Sequence, residues 1–314
     1  MSGFAVRLAS EADAPGIRAL FARVFSKELP AEEWEWKYAR NPDGWLGVVA
    51  LADGRIVGNY SGCGTLFRLG GSERLAYAIG DVATDPAVRQ LGGRRGVFAE
   101  MTAAFYAEVE RRGLPFCFGF PNDRALAVSH RFAGTESLRP VVERRVPCAA
   151  FEEPPAGFSA GDAAPETFDA LWVAASRTLP AAAVRDRGRV NWRFHARPTR
   201  YYRMVWREVS GAMTCWAALS VLGEEAVVAE YLGAAADGSD LPILFAGAAA
   251  EAARLGALRL VFWETEGGPG AAAVRALAGL SAPAGFTLIA RVFDREAIGR
   301  FSAGHLSPAL YDVV

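Results

Sequence analysis

The sequence predicts a mixed α/β fold made of two similar halves in tandem, each a mostly antiparallel central sheet flanked by helices. Three observations carry this. The chain has 314 residues, more than one domain usually holds and enough for two cores of roughly 150 residues each. Strand and helix patterns follow the same order in both halves, an antiparallel meander first and a strand–helix–strand unit after it. WKYARNP at Trp36 to Pro42 is matched by WRFHARP at Trp192 to Pro198 in aromatic, cation, aromatic and proline at the same spacing. The copies lie almost half the chain apart and each precedes an apolar strand, which points to duplication. The leading meander is not the order of a doubly wound dinucleotide fold.

Phe4 to Leu8 is a short apolar strand. Ser10, with Asp13 three residues on, opens a helix whose apolar face is Ile17, Leu20, Phe21, Val24 and Phe25. A second helix carries Trp34, Trp36 and Tyr38 and stops before Pro42. Leu46 to Leu51 and Arg55 to Tyr60 form a hairpin across Asp53-Gly54, and Gly70-Gly71 turns the chain into a third strand ending near Thr84. A long helix follows from Val97, with Val97, Met101, Phe105 and Val109 on one face, and closes at Gly113. Pro115 to Phe118 is a short apolar strand, Pro121-Asn122-Asp123 opens a helix from Arg124 to Phe132, and Val141 to Phe151 is strand. Glu152 to Pro165 has the Pro, Gly, Ala and acid content of a linker. The second half runs through a helix from Thr167 to Ser176 and strands at Tyr202–Trp206, Met213–Leu222 and Ala226–Leu232. A helix from Leu241 to Leu255, a strand from Leu258 to Trp263 and a helix from Gly270 to Leu280 complete it. Domains are therefore expected at residues 1–151 and 166–314.

Hydrophobic residues make up 52% of the chain and charged residues 22%, and the net charge is −1. That balance gives no global attraction to nucleic acid or an anionic membrane. The N-terminus lacks the basic and apolar runs of a signal peptide, and no apolar run reaches the length of about 18 residues that a spanning helix needs. Four scattered cysteines and three isolated histidines offer no metal-ligand spacing and fit a reduced, cytoplasmic setting. Oligomeric state is not set by these features.

The chemistry concentrates between Tyr77 and Gly113. A strand, a loop rich in glycine and arginine (Gly92, Gly93, Arg94, Arg95, Gly96) and a helix starting at Val97 make a device for holding phosphate. Unpaired N–H groups at the helix start and the helix dipole favour an anion, and glycine lets the main chain approach it. A solvated basic loop is the plainer reading of the same residues. In the second half the corresponding loop, GAAADGSDLP, has no Arg or Lys, so the cradle occurs once.

On these residues the first half resembles the GCN5-related N-acetyltransferase (GNAT) superfamily, and the second half resembles a degenerate copy of it. DPAVRQLGGRRGVF is similar to the family's pyrophosphate loop, with Arg89 and Gly92 matching its opening and Arg94 standing where a final Gly or Ala is usual. Asn122 is similar to the family residue that meets the pantetheine of coenzyme A. The family's tyrosine acid has no counterpart, since Ser129 and His130 occupy its place. The resemblance implies acetyl-CoA as acyl donor, no metal, and main-chain N–H groups of Val82, Ala83 and Thr84, where the strand splays after Thr84, to polarise the thioester carbonyl.

Asp81, on the central strand among apolar neighbours, is either the base that deprotonates the amine or a hydrogen-bonded structural residue at a bulge. His130 is the candidate acid or a surface residue. Tyr77 shares the face of Asp81 and is either core or an acceptor contact. The expected activity is acetyl transfer from acetyl-CoA to a primary amine of a small molecule by direct attack on the thioester. The alternative is a non-catalytic GNAT-fold CoA-binding or regulatory protein. The second half is expected to be structural or to help form the acceptor site.

Overall fold

The computed structural model describes residues 3–88, 96–264, 271–277 and 279–310. They gather into two compact units that are not contiguous in sequence. Met1–Leu66, Arg74–Arg139 and Thr287–Ile298 form the first; Phe67–Glu73, Pro140–Phe286 and Gly299–Val314 form the second. In chain order the elements begin β1 (Ala5–Leu8), α1 (Ala14–Phe25), α2 (Ala31–Trp34), β2 (Trp45–Ala52), β3 (Arg55–Leu69) and β4 (Ser72–Thr84). There follow α3 (Val97–Arg111), β5 (Phe116–Gly119), α4 (Asp123–Val128), β6 (Glu136–Pro147), β7 (Phe158–Gly161), α5 (Phe168–Ser176), β8 (Ala181–Ala183) and α6 (Arg187–Val190). The chain ends with β9 (Arg203–Val209), β10 (Ala212–Leu222), β11 (Glu225–Gly233), α7 (Leu241–Arg254), β12 (Arg259–Trp263), α8 (Ala271–Ala276), β13 (Leu280–Val292) and α9 (Arg295–Ser302). The result is the mixed α/β class, and it follows from hairpins the sequence encodes. Asp53 and Gly54 have φ of 50° and 73°, Gly70 and Gly71 of 55° and 94°, the paired left-handed turn residues that match strand twist.

In the first unit the sheet order is β1-β2-β3-β4-β5. Beyond β5 lies the end of β13, antiparallel, with Ile289 opposite Gly119 and Val292 opposite Phe116. α3 covers the sheet with Val97, Met101, Phe105 and Val109, all at most 1% exposed, and each buried side chain of this kind contributes about 1.5–3 kcal/mol. Two glycines of β3 make room for it. A Cβ at Gly58 would lie 2.7 Å from Met101 Sδ, and one at Gly62 would lie 2.9 Å from Tyr77 Cβ and 3.1 Å from the Phe105 ring.

The second unit repeats the plan, with β10 antiparallel to β9 and β11, and β11 parallel to β12. β12 pairs with the latter part of β6, Arg259 opposite Pro147 and Trp263 opposite Glu143. α7 buries Leu244, Phe245, Ala248 and Ala252 against Leu219, Val228, Leu260 and Phe262. No described helix is long and apolar enough to cross a membrane.

Three expectations need correction. The stretch 152–165 is not a linker, since β7 within it pairs with β9 from Phe158 opposite Arg207 to Gly161 opposite Met204. An edge strand this short needs little β-forming sequence, so its composition hides it. A division between 151 and 166 therefore falls inside the second unit. β13, where the sequence suggests only the tail of a helix, is a strand of 13 residues; Pro283 and Gly285 interrupt its alternation.

The two copies of the repeated motif share one local structure. α2 continues into a wide turn, Glu35–Ala39, closed by Arg40 N donating to Glu35 O at 2.7 Å. α6 continues into Asn191–His195, closed by Ala196 N donating to Asn191 O at 2.8 Å. Such five-residue closures turn side chains off the regular helical stripe. Lys37 and Arg193 both end up buried, at 5% and 8% exposure.

The second unit also buries an ionic cluster. Glu230 of β11 accepts from Arg185 Nε at 2.6 Å and Ser307 Oγ at 2.8 Å on Oε2, and pairs through Oε1 with His305 Nε2 at 2.8 Å. Burial alone would raise its pKa, but Arg185 and His305 outweigh that and hold it at about 2. Removing one member leaves charge buried without its partner. Glu230→Ala should cost about 3–5 kcal/mol in a urea melt. Because the folded pKa is depressed from 4.5 to about 2, the stabilisation is present above pH 4.5 and fades as pH falls towards 2. The melting temperature of Glu230→Gln should accordingly depend less on pH over that window than that of the wild type.

Candidate functional site

β4 is the strand on which the site is built. Among the described residues it pairs with β5 at two positions, Tyr77 opposite Cys117 and Ala78 opposite Phe118. The strands part after Ala78, earlier than the expected point after Thr84. Beyond Ile79, which still lies against Gly119, β4 has no paired strand on that side among the described residues, and backbone groups on such an edge need another partner.

Three residues past the last pair stands Asp81, with φ of 50°. A left-handed residue inside a strand breaks the pleat, and Asp and Asn tolerate it better than most residues. Asn59 of β3 fixes the backbone there, Nδ2 donating to Asp81 O at 2.8 Å, and is itself bonded by Ser61 Oγ at 2.9 Å. Two donors from the wide turn after α2 converge on one carboxylate oxygen, Lys37 Nζ and Tyr38 OH each 2.7 Å from Asp81 Oδ2. Oδ1 has no partner among the described residues. The side chains of Lys37 and Asp81 are 6% and 16% exposed, so solvent ions screen the pair weakly.

The other end of β4 leads towards the helix. Thr84 Oγ1 is buried with no hydrogen-bond partner among the described residues, an open valence of the kind a ligand satisfies. Asp85 anchors the turn that leaves the strand, its N–H on Val57 O at 2.8 Å and its Oδ1 accepting from Ala87 N at 3.0 Å. That backbone bond, with Arg23 and Arg55 nearby, holds its carboxyl below the usual range. Gly92, Gly93, Arg94 and Arg95 lie outside the described residues. Gly96 is the N-cap of α3, extended at φ −63° and ψ 166°, and among the described residues no side chain caps the helix. The first-turn N–H groups, that of Val97 among them, are left to an incoming acceptor, while the Val97 side chain itself is core.

The remaining candidates lie as follows. Val82 is half-buried and Ala83 buried on β4. Asn122 is exposed and caps α4, its Oδ1 accepting from Ala125 N at 3.0 Å, which leaves its amide N–H groups available. His130 is exposed in the turn that follows α4, and its Nε2 lies 3.2 Å from Ser137 Oγ. Among the described residues no hydrogen bond joins it to Asp81. Tyr77 is core, 2% exposed, its OH accepting from Arg112 at 2.9 Å. Cys117 is fully buried on β5, and burial pushes its thiol pKa far up. It is no nucleophile.

Residues 5–132 match the family model described as Acetyltransferase (GNAT) domain. The first half of the chain carries a GNAT acetyltransferase domain. No curated protein sequence matches the chain. Among solved structures it is similar to a conserved protein of unknown function from Enterococcus faecalis V583, described as a probable N-acyltransferase, with a TM-score of 0.70 and 13% identity. That match covers 93% of this chain and 73% of the other. A GCN5-related N-acetyltransferase from Anabaena variabilis aligns with a TM-score of 0.68 and 12% identity, over 92% and 72% of the two chains. One from Kribbella flavida aligns at 0.65 and 13%, over 93% and 72%. At such identities the likeness is one of fold, and it extends over nearly the whole chain. A GNAT domain is a device for acyl transfer.

Sequence reasoning missed Lys37 and Tyr38, which it used only as part of the repeated motif. The available signal was a cation held between aromatics in both copies of the repeat. A charge repeated within an apolar pattern calls for a buried partner. In the second copy Phe194 replaces Tyr38, so the hydroxyl that bonds Asp81 belongs to the first copy alone.

The left-handed backbone makes a stability prediction. Asp81→Asn keeps a residue that accepts φ of 50°, so its loss of stability should come from the buried Lys37 left without its carboxylate. Asp81→Val should be about 2 kcal/mol less stable than Asp81→Asn in chemical denaturation, since a β-branched residue is strained there. Equal stabilities would show that the conformation imposes no such selection.

Proposed function

We propose that the first unit transfers an acetyl group from acetyl-CoA to the primary amine of a small molecule. The observation that carries this reading is the parting of β4 from β5 beside Asp81, followed by a helix N-terminus that no side chain caps among the described residues. The free edge of β4, around Val82 to Thr84, suits the pantetheine and the thioester carbonyl. Gly96 and the first turn of α3, with the arginines before it, suit the pyrophosphate. The Thr84 hydroxyl and the Asn122 amide each supply a hydrogen-bonding group without a partner among the described residues. No metal enters the reaction.

The ammonium form of the acceptor cannot attack, so its proton passes first to Asp81. The free amine then adds to the thioester carbonyl, whose oxygen gains charge that strand N–H groups stabilise. That addition forms the C–N bond, and collapse of the tetrahedral intermediate restores the carbonyl and breaks the C–S bond. The nitrogen gives its second proton to solvent, and the thiolate takes one up from solvent or from the exposed His130. Coenzyme A leaves as the thiol and the acetamide remains. Burial of Cys117 favours this direct route over an acyl-cysteine intermediate. The absence of a basic overall charge favours a small acceptor over nucleic acid, and the free cysteines suit a reducing, cytoplasmic compartment.

Acetyl-CoA should raise the melting temperature, by the equivalent of about 2.7 kcal/mol at 100 times its dissociation constant. Gly96→Glu puts a carboxylate at the α3 N-cap and should shrink that shift. Thiol release with a panel of primary amines tests turnover. Asp81→Asn should slow turnover while leaving the acetyl-CoA shift intact. A wild type that does not respond to millimolar acetyl-CoA would sink the proposal, and binding without thiol release would favour a non-catalytic role.

A further inference from the structure

The two units place a carboxylate at the same point of their fourth strands and treat it differently. β11 pairs with β12 as far as Val227 opposite Val261, and Glu230 follows three residues later, as Asp81 follows Ala78. Glu230 is 1% exposed and both its oxygens are taken, by Arg185, Ser307 and His305. Asp81 is gripped through one oxygen. Lys37 and Tyr38 both donate to Oδ2, Asn59 holds the backbone carbonyl, and Oδ1 has no partner among the described residues, on a side chain still 16% exposed. Glu230 closes both its oxygens within the protein. A carboxylate that must meet a substrate closes one and presents the other.

We propose that Lys37 and Tyr38 are positioning residues: they clamp Asp81 by Oδ2 so that Oδ1 faces the incoming ammonium and takes its proton. This rests on the reading of Asp81 as the base of an acyl transfer. The clamp solves a physical problem. A carboxylate with free χ angles samples several rotamers, and a base misplaced by an ångström loses most of its effect. Two donors on one oxygen fix both the rotamer and the sense of the carboxylate. The charged and titratable groups bonded to Asp81 are Lys37 and Tyr38, both from the turn after α2; β3 contributes the neutral Asn59. No covalent bond changes at either positioning residue. The proton moves from the ammonium nitrogen to Asp81 Oδ1, and Lys37 and Tyr38 keep theirs.

The test compares two probe acceptors, ethylamine, which is an ammonium ion at pH 7.5, and hydroxylamine, which is largely a free base there and needs no deprotonation. Thiol release from acetyl-CoA is measured for wild type, Lys37→Met, Lys37→Arg, Tyr38→Phe and Asp81→Asn, alongside the acetyl-CoA melting shift of each. Lys37→Met and Tyr38→Phe should lower kcat with ethylamine about 10-fold or more while hydroxylamine turnover stays within about 2-fold. Lys37→Arg, the cation of the second copy, should restore much of the loss. Adding Lys37→Met to Asp81→Asn should cost little more than Asp81→Asn alone, because the two act as a unit.

Equal slowing with both probes, or full additivity in the double variant, overturns the clamp and leaves a structural pair. If Lys37→Met does not fold, Tyr38→Phe decides by the same comparison. A normal acetyl-CoA shift without wild-type turnover of either probe removes Asp81 as a base and this proposal with it. No shift at all fails the acyltransferase reading first.

Discussion

A strand inside a sheet has its backbone groups committed on both sides, and β4 gives up one side after Ala78. Everything that makes the first unit a site follows from that. The freed edge needs a partner, the strand bends at a left-handed Asp81, and the helix that follows begins without a side-chain cap among the described residues. Holding Asp81 in that conformation takes three side chains from two elements, Lys37 and Tyr38 on the carboxylate and Asn59 on the carbonyl. A left-handed aspartate costs on the order of 1 kcal/mol. Three side chains that fix both the carboxylate and the carbonyl hold the residue there despite that cost.

Duplication shows what the fold needs and what the chemistry needs. The wide turn, its buried cation and the carboxylate on the fourth strand occur in both units, so they belong to the architecture. The differences are chemical. The second unit has Phe194 for Tyr38 and closes Glu230 on both oxygens. At the start of α7 the position next to the helix is filled by the protein itself. Asp240 Oδ2 accepts from Ala235 N at 2.8 Å, and burial pushes that acid's pKa up. A carboxylate seated there takes up a donor of the loop before α7, where the α3 cap of the first unit is a glycine.

Local patterns were legible where one residue type forces one geometry. Asp53-Gly54 and Gly70-Gly71 could only be tight hairpin turns, and Val97, Met101, Phe105 and Val109 could only face a sheet. The family resemblance rested on a loop whose glycines and arginines lie outside the described residues, yet the strand before it and the helix after it match. Less legible were segments whose structure is imposed by a neighbour. β7 is an edge strand of four residues, Phe158–Gly161, drawn into extension by β9. β13 contains Pro283 and Gly285 and pairs with β5 from far along the chain.

By itself the sequence determined the α/β class, the duplication and the hairpins, and it singled out Asp81. These depend on periodicity, turn stereochemistry and composition, which act over a few residues. Tertiary structure alone decided where β4 leaves β5, that each compact unit takes strands from both sequence halves, and that Lys37 and Tyr38 reach Asp81. Those facts depend on contacts between residues some 40 or more positions apart, and no local pattern encodes which buried cation meets which buried acid.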